Sequence, residues 1–341
     1  MALMSGRVPI RSNRGDSAMM ATREHRPLRT AVLGLGRWGR TWLPVLDREP
    51  GVEVVLTAGG IPDGRPLAHL GDYRQALDQP DLDAVVVTLP VRLHLDAVVT
   101  AAERGLHVLV EKPAVADRAE LDVLCSTAAT APSVVMVCQN YRERAWVAVV
   151  RHHLATLGRL SQVSIEVARG EFLDGGRARL PHPLLDDLAI HHLDLLRHLT
   201  AQDASVLAAT SGRPPWTTYD GQPDVAALLR LDDGAIVTYR GTWAARGGET
   251  PYDGDWTLRG ENGVIELRDL VVRRDGAVVA DTAPRPLDPP DNDLAAVLHT
   301  FVAATRGGPV PTSAADHARS LGLVLSMREA AAVGAAVEVE T

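Results

Sequence analysis

A largely apolar run, Arg29-Thr30-Ala31-Val32-Leu33-Gly34, ends in glycine and opens onto Gly34-Leu35-Gly36-Arg37-Trp38-Gly39. This turn limits the fold more than any other stretch of the chain. A short apolar run reads as a strand buried on both faces, the situation of a parallel sheet. Glycines at G-x-G-x-x-G spacing, after such a strand and before a helix, form a phosphate-binding turn. The first allows the tight turn, the second lets backbone N–H groups approach a pyrophosphate, and the third lets helix and strand pack closely. The partial positive charge of the helix N-terminus favours the phosphates. The folded part is therefore expected to begin with a Rossmann-type, dinucleotide-binding unit.

The pattern continues in the same sense. Helices are predicted over Trp38–Arg48, His94–Arg104 and Ala119–Thr130, and strands over Val52–Ala58, Asp83–Leu89, Val108–Val110 and Val134–Cys138. Strands alternating with helices indicate a parallel α/β sheet. After about Asn140 the pattern changes. A helix over Trp146–Leu157 precedes alternating segments at Gln162–Ala168, Val225–Leu231, Ala235–Trp243, Trp256–Arg259, Val264–Leu267 and Leu270–Arg274. Asp232-Asp233-Gly234 and Asp275-Gly276 are turn signals, the latter a two-residue hairpin. This half reads as an α+β domain with an open, mainly antiparallel sheet, one side solvated or facing another subunit. The expected organisation is a disordered leader over 1–27, a Rossmann domain over 28–140 and the second domain over 141–283. A linker and two closing helices, Asp293–Thr305 and Ser313–Val333, fill 284–341.

Charge narrows the partners. The chain of 341 residues carries a net charge of −8, which argues against nucleic acid. Residues 1–29 hold Arg7, Arg11, Arg14, Arg23, Arg26 and Arg29 against Asp16 and Glu24, a local charge of +4. This leader has no apolar segment and is not a secretory signal. No stretch reaches the ~20 apolar residues of a membrane span. Two cysteines, Cys125 and Cys138, make no disulfide framework, so a cytoplasmic setting is expected.

Two further motifs carry chemistry. Leu106-His107-Val108-Leu109-Val110 runs into Glu111-Lys112-Pro113 at the carboxyl end of a buried strand, where Rossmann ligands sit. Pro113 biases Lys112 away from helical backbone angles. In Asp187-Leu188-Ala189-Ile190-His191-His192-Leu193-Asp194, the residues Asp187, His191, Asp194 and His198 are spaced to share one helix face. Asp187 is expected to orient and charge the His191 ring. His182, Asp186, His191 and Asp194 are metal-ligand types but lack zinc-like spacing, so no metal is expected.

Gly-x-Gly-x-x-Gly, Pro90-x-x-x-His94, Gly105-x-His107-x-x-x-Glu111-Lys112-Pro113 and Asp187-x-x-x-His191-x-x-Asp194 appear in this order. The chain thereby resembles the glucose–fructose oxidoreductase / inositol dehydrogenase / rhizopine-catabolism (Gfo/Idh/MocA) oxidoreductases from about residue 29 to the end. The resemblance implies catalytic roles for Lys112, Asp187 and His191. It implies cofactor contacts from Gly34, Leu35, Gly36, Arg37, Trp38, Gly39, Gly59, Leu89, Pro90, His94, Glu111 and Lys112. Asn140, Arg142 and His192 are the candidate substrate-binding residues. The implied reaction interconverts a secondary alcohol and a ketone on a small, polar, sugar-like substrate. His191 is expected to move the proton and Lys112 to stabilise the oxyanion. An NAD-assisted glycosidase or lyase and a non-catalytic cofactor-binding relative are the alternatives. A homodimer or homotetramer is expected.

Two departures stand out. An NAD-preferring turn has an acid about 20 residues on, to bind the ribose 2′-hydroxyl. Here Ala58-Gly59-Gly60 occupies that place, and Arg37 and Arg65 are available to a 2′-phosphate, which tilts the expectation from NAD to NADP. Pro62, Gly64 and Pro66 make a helix after residue 60 improbable, so one crossover helix on the adenosine side is expected to be absent.

Overall fold

The computed structural model describes residues 26–170, 177–284 and 292–333. The predicted leader, apart from its last two residues, and the predicted linker beyond Pro284 lie outside the described residues. The first domain runs β1 (Leu28–Leu35), α1 (Arg37–Arg48), β2 (Val52–Gly60), β3 (Ala68–Leu70), α2 (Tyr73–Leu77) and β4 (Ala84–Val87). It continues through α3 (His94–Glu103), β5 (His107–Val110), α4 (Arg118–Thr130) and β6 (Val135–Val137). The six strands form one parallel sheet in the order β3-β2-β1-β4-β5-β6.

Successive residues of a strand point to opposite faces. Ala31, Leu33, Val85, Val87, Val108 and Val110 fill one face together with residues of α2, α3 and α4. Val32, Leu35, Ala84, Val86 and Leu109 fill the other, against Trp42, Leu43, Val45 and Leu46 of α1. Both faces are covered, which is why these strands read as continuous apolar runs. The expected missing helix is indeed missing. Residues 61–67 carry β2 to its parallel neighbour β3 without one. Arg65 pins that connection through ion pairs to Asp47 of α1 (2.6 Å) and to Asp63 (2.9 Å).

The second domain contains α5 (Ala145–Leu154), β7 (Leu160–Ala168), α6 (Ile190–Thr200), β8 (Ala204–Gly212), β9 (Asp224–Leu231) and β10 (Ile236–Thr242). Then follow β11 (Asp255–Gly260), β12 (Gly263–Arg268), β13 (Val271–Arg274) and β14 (Ala277–Asp281). The sheet order is β14-β13-β12-β11-β7-β10-β9-β8. It is mixed, because β7 and β10 are parallel while the other neighbours are antiparallel. Val163, Ile165, Leu229, Val237 and Tyr239 point inward, and Ser164, Glu166, Leu228, Thr238 and Arg240 point out. Asp275 (φ 50°) and Gly276 (φ 83°) make the predicted hairpin turn between β13 and β14. The sequence does not announce β8, an edge strand with no fully buried residue, whose alternation slips at a bulge between Val206 and Ala208.

The closing helices are integral to the fold. Leu294, Val297, Leu298 and Phe301 of α7 (Asn292–Thr305) pack on the Rossmann sheet beside Trp42 and Leu109. α8 (Ala314–Val333) lies against α4, α6 and β8. A buried ion network ties α8 to α6. Arg142 donates to both carboxylate oxygens of Asp194 (2.7 and 2.6 Å) and to Asp316. Arg197 donates to Asp203 (2.8 Å) and Asp316 (3.0 Å), and Ser320 Oγ donates to Asp194 (2.8 Å). Among the described residues no helix is long and apolar enough to cross a membrane.

Removing one member of such a network strands a buried charge. Asp194→Ala should lower the unfolding free energy by about 3–5 kcal/mol. The check is the urea midpoint, and an unchanged midpoint would show that the network adds nothing to stability.

Candidate active site

The three glycines at the end of β1 divide their work as their spacing suggests. Gly34 has φ +105°, and a Cβ there would lie 2.7 Å from Leu89 N. A Cβ on Gly39 would overlap the Gly34 carbonyl oxygen, so only glycine lets α1 sit this close to β1. Gly36 meets nothing within 4 Å. Its open side, with an α1 N-terminus that lacks a side-chain cap, leaves main-chain N–H groups for an anion. Thr88 Oγ1 donates to Gly34 O (2.6 Å) and Leu33 O (3.1 Å), which ties the turn to the end of β4. These residues fit the pyrophosphate of a dinucleotide: room where it would pass, and glycine where a side chain would fill the space.

A cleft of about 890 Å³ runs from this turn to the second domain, a size usual for small-molecule and cofactor sites. Gly34, Leu35, Gly36, Arg37, Trp38, Leu89, Pro90, His94, Glu111 and Lys112 line it. Gly39 lies beneath the turn, in the packing of α1 on β1. At the end of β2 it is Gly60 that lines the cleft, while Gly59 stands one residue behind it. Both are left-handed (φ +70° and +76°) and hug the glycine turn. Arg37 is exposed at the rim and forms no ion pair among the described residues. Arg65, also expected to be available to a phosphate, is already paired with Asp47 and Asp63.

Two of the lining residues act mainly as struts. His94 is buried, with Nε2 2.6 Å from Leu89 O and Nδ1 3.1 Å from Pro113 O. It clamps the end of β4 to the loop after β5, and burial lowers its pKa. Glu111 accepts from Trp42 Nε1 (2.7 Å) and from the Lys112 N–H (3.2 Å). Burial raises its pKa against the pull of these donors. The Lys112–Pro113 peptide is cis.

Lys112 crosses to the second domain. Its Nζ donates to the Asp187 carbonyl (2.8 Å) and lies 3.4 Å from Asp187 Oδ1. The lysine side chain is 6% exposed. Asp187 is not on α6 proper. It sits in a π-helical turn, Leu185–Ala189, that runs directly into the helix. A π turn holds more residues than an α turn, so the expected single face of Asp187, His191, Asp194 and His198 is broken. Asp187 and Ile190 line the cleft, whereas His191 is not among its lining residues.

The His191 ring is 4% exposed and stacks on Tyr141, centroids 3.9 Å apart and planes 10° from parallel. Its Nδ1 is buried with no hydrogen-bond partner. The expectation that Asp187 would orient and charge the ring through a hydrogen bond is therefore not met at Nδ1, since the π turn directs Asp187 to Lys112. Burial, and then the charge of Lys112, push the His191 pKa well below the usual histidine value.

The three candidate substrate residues are differently occupied. Arg142 is consumed by the Asp194–Asp316 network. His192 is fully buried between Tyr239 OH (3.1 Å) and the Tyr252 carbonyl (2.8 Å), on the sheet side of α6 and away from the cleft. Asn140 is buried and donates to Asp293 (2.7 Å). Its neighbour Tyr141, to which the sequence assigned no role, carries the contact to His191. Arg144 lies over the same ring, 4.4 Å from its centroid. The Asn140-Tyr141-Arg142 stretch pointed to this place, but the phase of its 3₁₀ turn (Asn140–Glu143) was not readable from spacing. The four candidate metal ligands do not converge: among the described residues no group of three or more His, Cys, Asp or Glu gathers as a metal site.

Both parts of the chain resemble known proteins. The family model described as "Oxidoreductase family, NAD-binding Rossmann fold" matches residues 28–139, and the "GFO/IDH/MocA C-terminal domain" matches 153–266. The 1,5-anhydro-D-fructose reductase of Ensifer adhaerens is 25% identical over 92% of this chain and 99% of its own. The dTDP-3,4-didehydro-2,6-dideoxy-alpha-D-glucose 3-reductase of Streptomyces antibioticus is 28% identical over 83% of this chain and 90% of its own. An Agrobacterium radiobacter oxidoreductase crystallised with NAD+, L-tartaric acid and magnesium superposes with a TM-score of 0.82 at 20% identity, covering 89% of this chain and 96% of that one. With both of its domains matched in order, this chain belongs to the Gfo/Idh/MocA family of oxidoreductases.

Proposed function

We propose that this protein interconverts a secondary alcohol and a ketone on a small polyhydroxylated, sugar-like substrate, using NAD(P). One observation carries the reading. Lys112 and Asp187 meet across the two domains at 2.8 Å, in the cleft that starts at the glycine turn, and the Lys112 charge acts on His191. When bound, the nicotinamide supplies or accepts a hydride. The chain's own groups handle the substrate oxygen. Lys112 Nζ offers it a cationic donor in a largely dry site, where such stabilisation is strongest. Asp187 holds that ammonium in place, Lys112 carries the proton exchanged with the oxygen, and His191 hydrogen-bonds that oxygen.

The cofactor reading is finer. Gly59 and Gly60 put no carboxylate at the end of β2, so nothing there repels a 2′-phosphate. Arg37, exposed at the rim and unpaired among the described residues, supports pairing with one. We therefore favour NADP over NAD. The outward face of the mixed sheet, with Leu228 and Trp216 exposed, supports a homo-oligomer. Two free cysteines, Cys125 and Cys138, support a cytoplasmic setting.

Lys112→Met and His191→Ala should each lower kcat/KM on the best of a panel of sugars and polyols by about a hundredfold or more. The measurement follows reduced-cofactor absorbance, and wild-type turnover in both variants would remove the mechanism. NADPH should bind more tightly than NADH. Arg37→Ala should weaken NADPH about tenfold while NADH binding holds, as fits loss of one charge-assisted hydrogen bond. Calorimetric titration decides this, and a clear NADH preference would sink the NADP reading.

A further inference from the structure

His191 raises a question that its assigned role leaves open. Its Nδ1 is sealed from solvent without a hydrogen-bond partner. Of the two ring nitrogens Nδ1 alone is both buried and unpartnered, and the residue keeps 4% exposure. The ring is held by contacts that are not hydrogen bonds. Tyr141 lies flat against it at 3.9 Å, and the Arg144 guanidinium lies on the tyrosine at 4.4 Å. Arg144 is itself fixed by Asp293 (3.1 Å) and Asp253 (3.6 Å). Asp253 also accepts from Trp146 Nε1 (2.7 Å), and Asp293 from Asn140 (2.7 Å).

We infer that Tyr141 and Arg144 are positioning residues for His191: the column His191–Tyr141–Arg144 fixes the imidazole in the tautomer with its proton on Nε2. This rests on the proposed function, and deepens it by assigning what His191 does there. The tautomer follows from the burial of Nδ1. A buried N–H without an acceptor is a rarer and worse defect than a buried lone pair without a donor. The proton therefore sits on Nε2, where solvent or a substrate oxygen can accept it.

The charges around the ring act in the same sense. Lys112 faces it from the loop after β5, Arg144 from the turn before α5, and His192 adjoins it on α6. Asp187 stands one turn earlier with its carboxylate at Lys112, and Asp253 and Asp293 face Arg144 rather than the ring. Cations close by and burial both disfavour the imidazolium. A neutral ring with Nε2–H cannot accept a proton at Nε2. It donates a hydrogen bond to the substrate oxygen and polarises it, as a neutral histidine can. The proton that the oxygen gains or loses is then carried by Lys112, which leaves as the amine after giving it and returns as the ammonium after taking it. Tyr141 and Arg144 act through His191 and need not touch substrate.

The test is histidine-labelled NMR of the full chain without substrate, the His191 signal assigned by its loss in His191→Gln. The wild-type signal should carry the Nε2–H signature and stay flat between about pH 5 and 8, where ordinary histidines titrate. Arg144→Gln should raise the pH at which His191 titrates, and Arg144→Lys should restore it. Tyr141→Leu should mix the tautomers and lower kcat about tenfold or more with little change in KM, while Tyr141→Phe keeps the Nε2–H signature. An Nδ1–H or imidazolium signal in the wild type near neutrality overturns the inference. So does a His191 titration untouched by Arg144→Gln, which serves alone if Tyr141→Leu fails to fold. If His191→Ala turns over normally while these spectra hold, the functional reading fails and the column stands.

Discussion

The bond from Lys112 Nζ to the Asp187 carbonyl is where the two domains become one site. Lys112 stands at the carboxyl end of β5, and Asp187 at the entrance to α6. An ammonium so nearly shut off from water must be matched by acceptors or lose its charge. Asp187 supplies two, from its main chain and its side chain. The cleft then has a cation at one end and bare N–H groups at the other, a distribution suited to an elongated anion that ends in a reactive ring.

What the chain announces in advance follows the kind of constraint involved. Gly39 answers to sterics within six residues and Gly34 to its own positive φ, so their roles could be read from spacing and recur in space. The parallel strands were legible because burial on both faces removes alternation. β8 was not, since it is an edge strand with no fully buried residue and its alternation slips at a bulge. Pro62, Gly64 and Pro66 marked the absent crossover helix correctly, because backbone restrictions act locally.

The candidate site was legible in residue type and less so in partnership. Lys112 and Asp187 were named from motif, and both line the cleft. Arg142 looked like a substrate ligand because its stretch follows the last Rossmann strand, as in the family it resembles, at the mouth of the site. Its true environment, Asp194 and Asp316, depends on α8, more than 170 residues away in sequence. His192 failed for a simpler reason. Adjacent helical residues point about 100° apart, and one of the pair had to face the β-sheet.

That arithmetic also explains the π turn at Leu185–Ala189. One extra residue in a helical circuit rotates all that precedes it relative to all that follows. Downstream, Asp194 and Arg197 keep the phase that buries them against α8. Upstream, Asp186 and Asp187 are turned outward to the cleft. The turn acts as a gear between two requirements that a uniform helix could not meet together. Its tolerance of length change is correspondingly small: losing a single residue there would restore an even helix, keep the core and swing Asp187 away from Lys112.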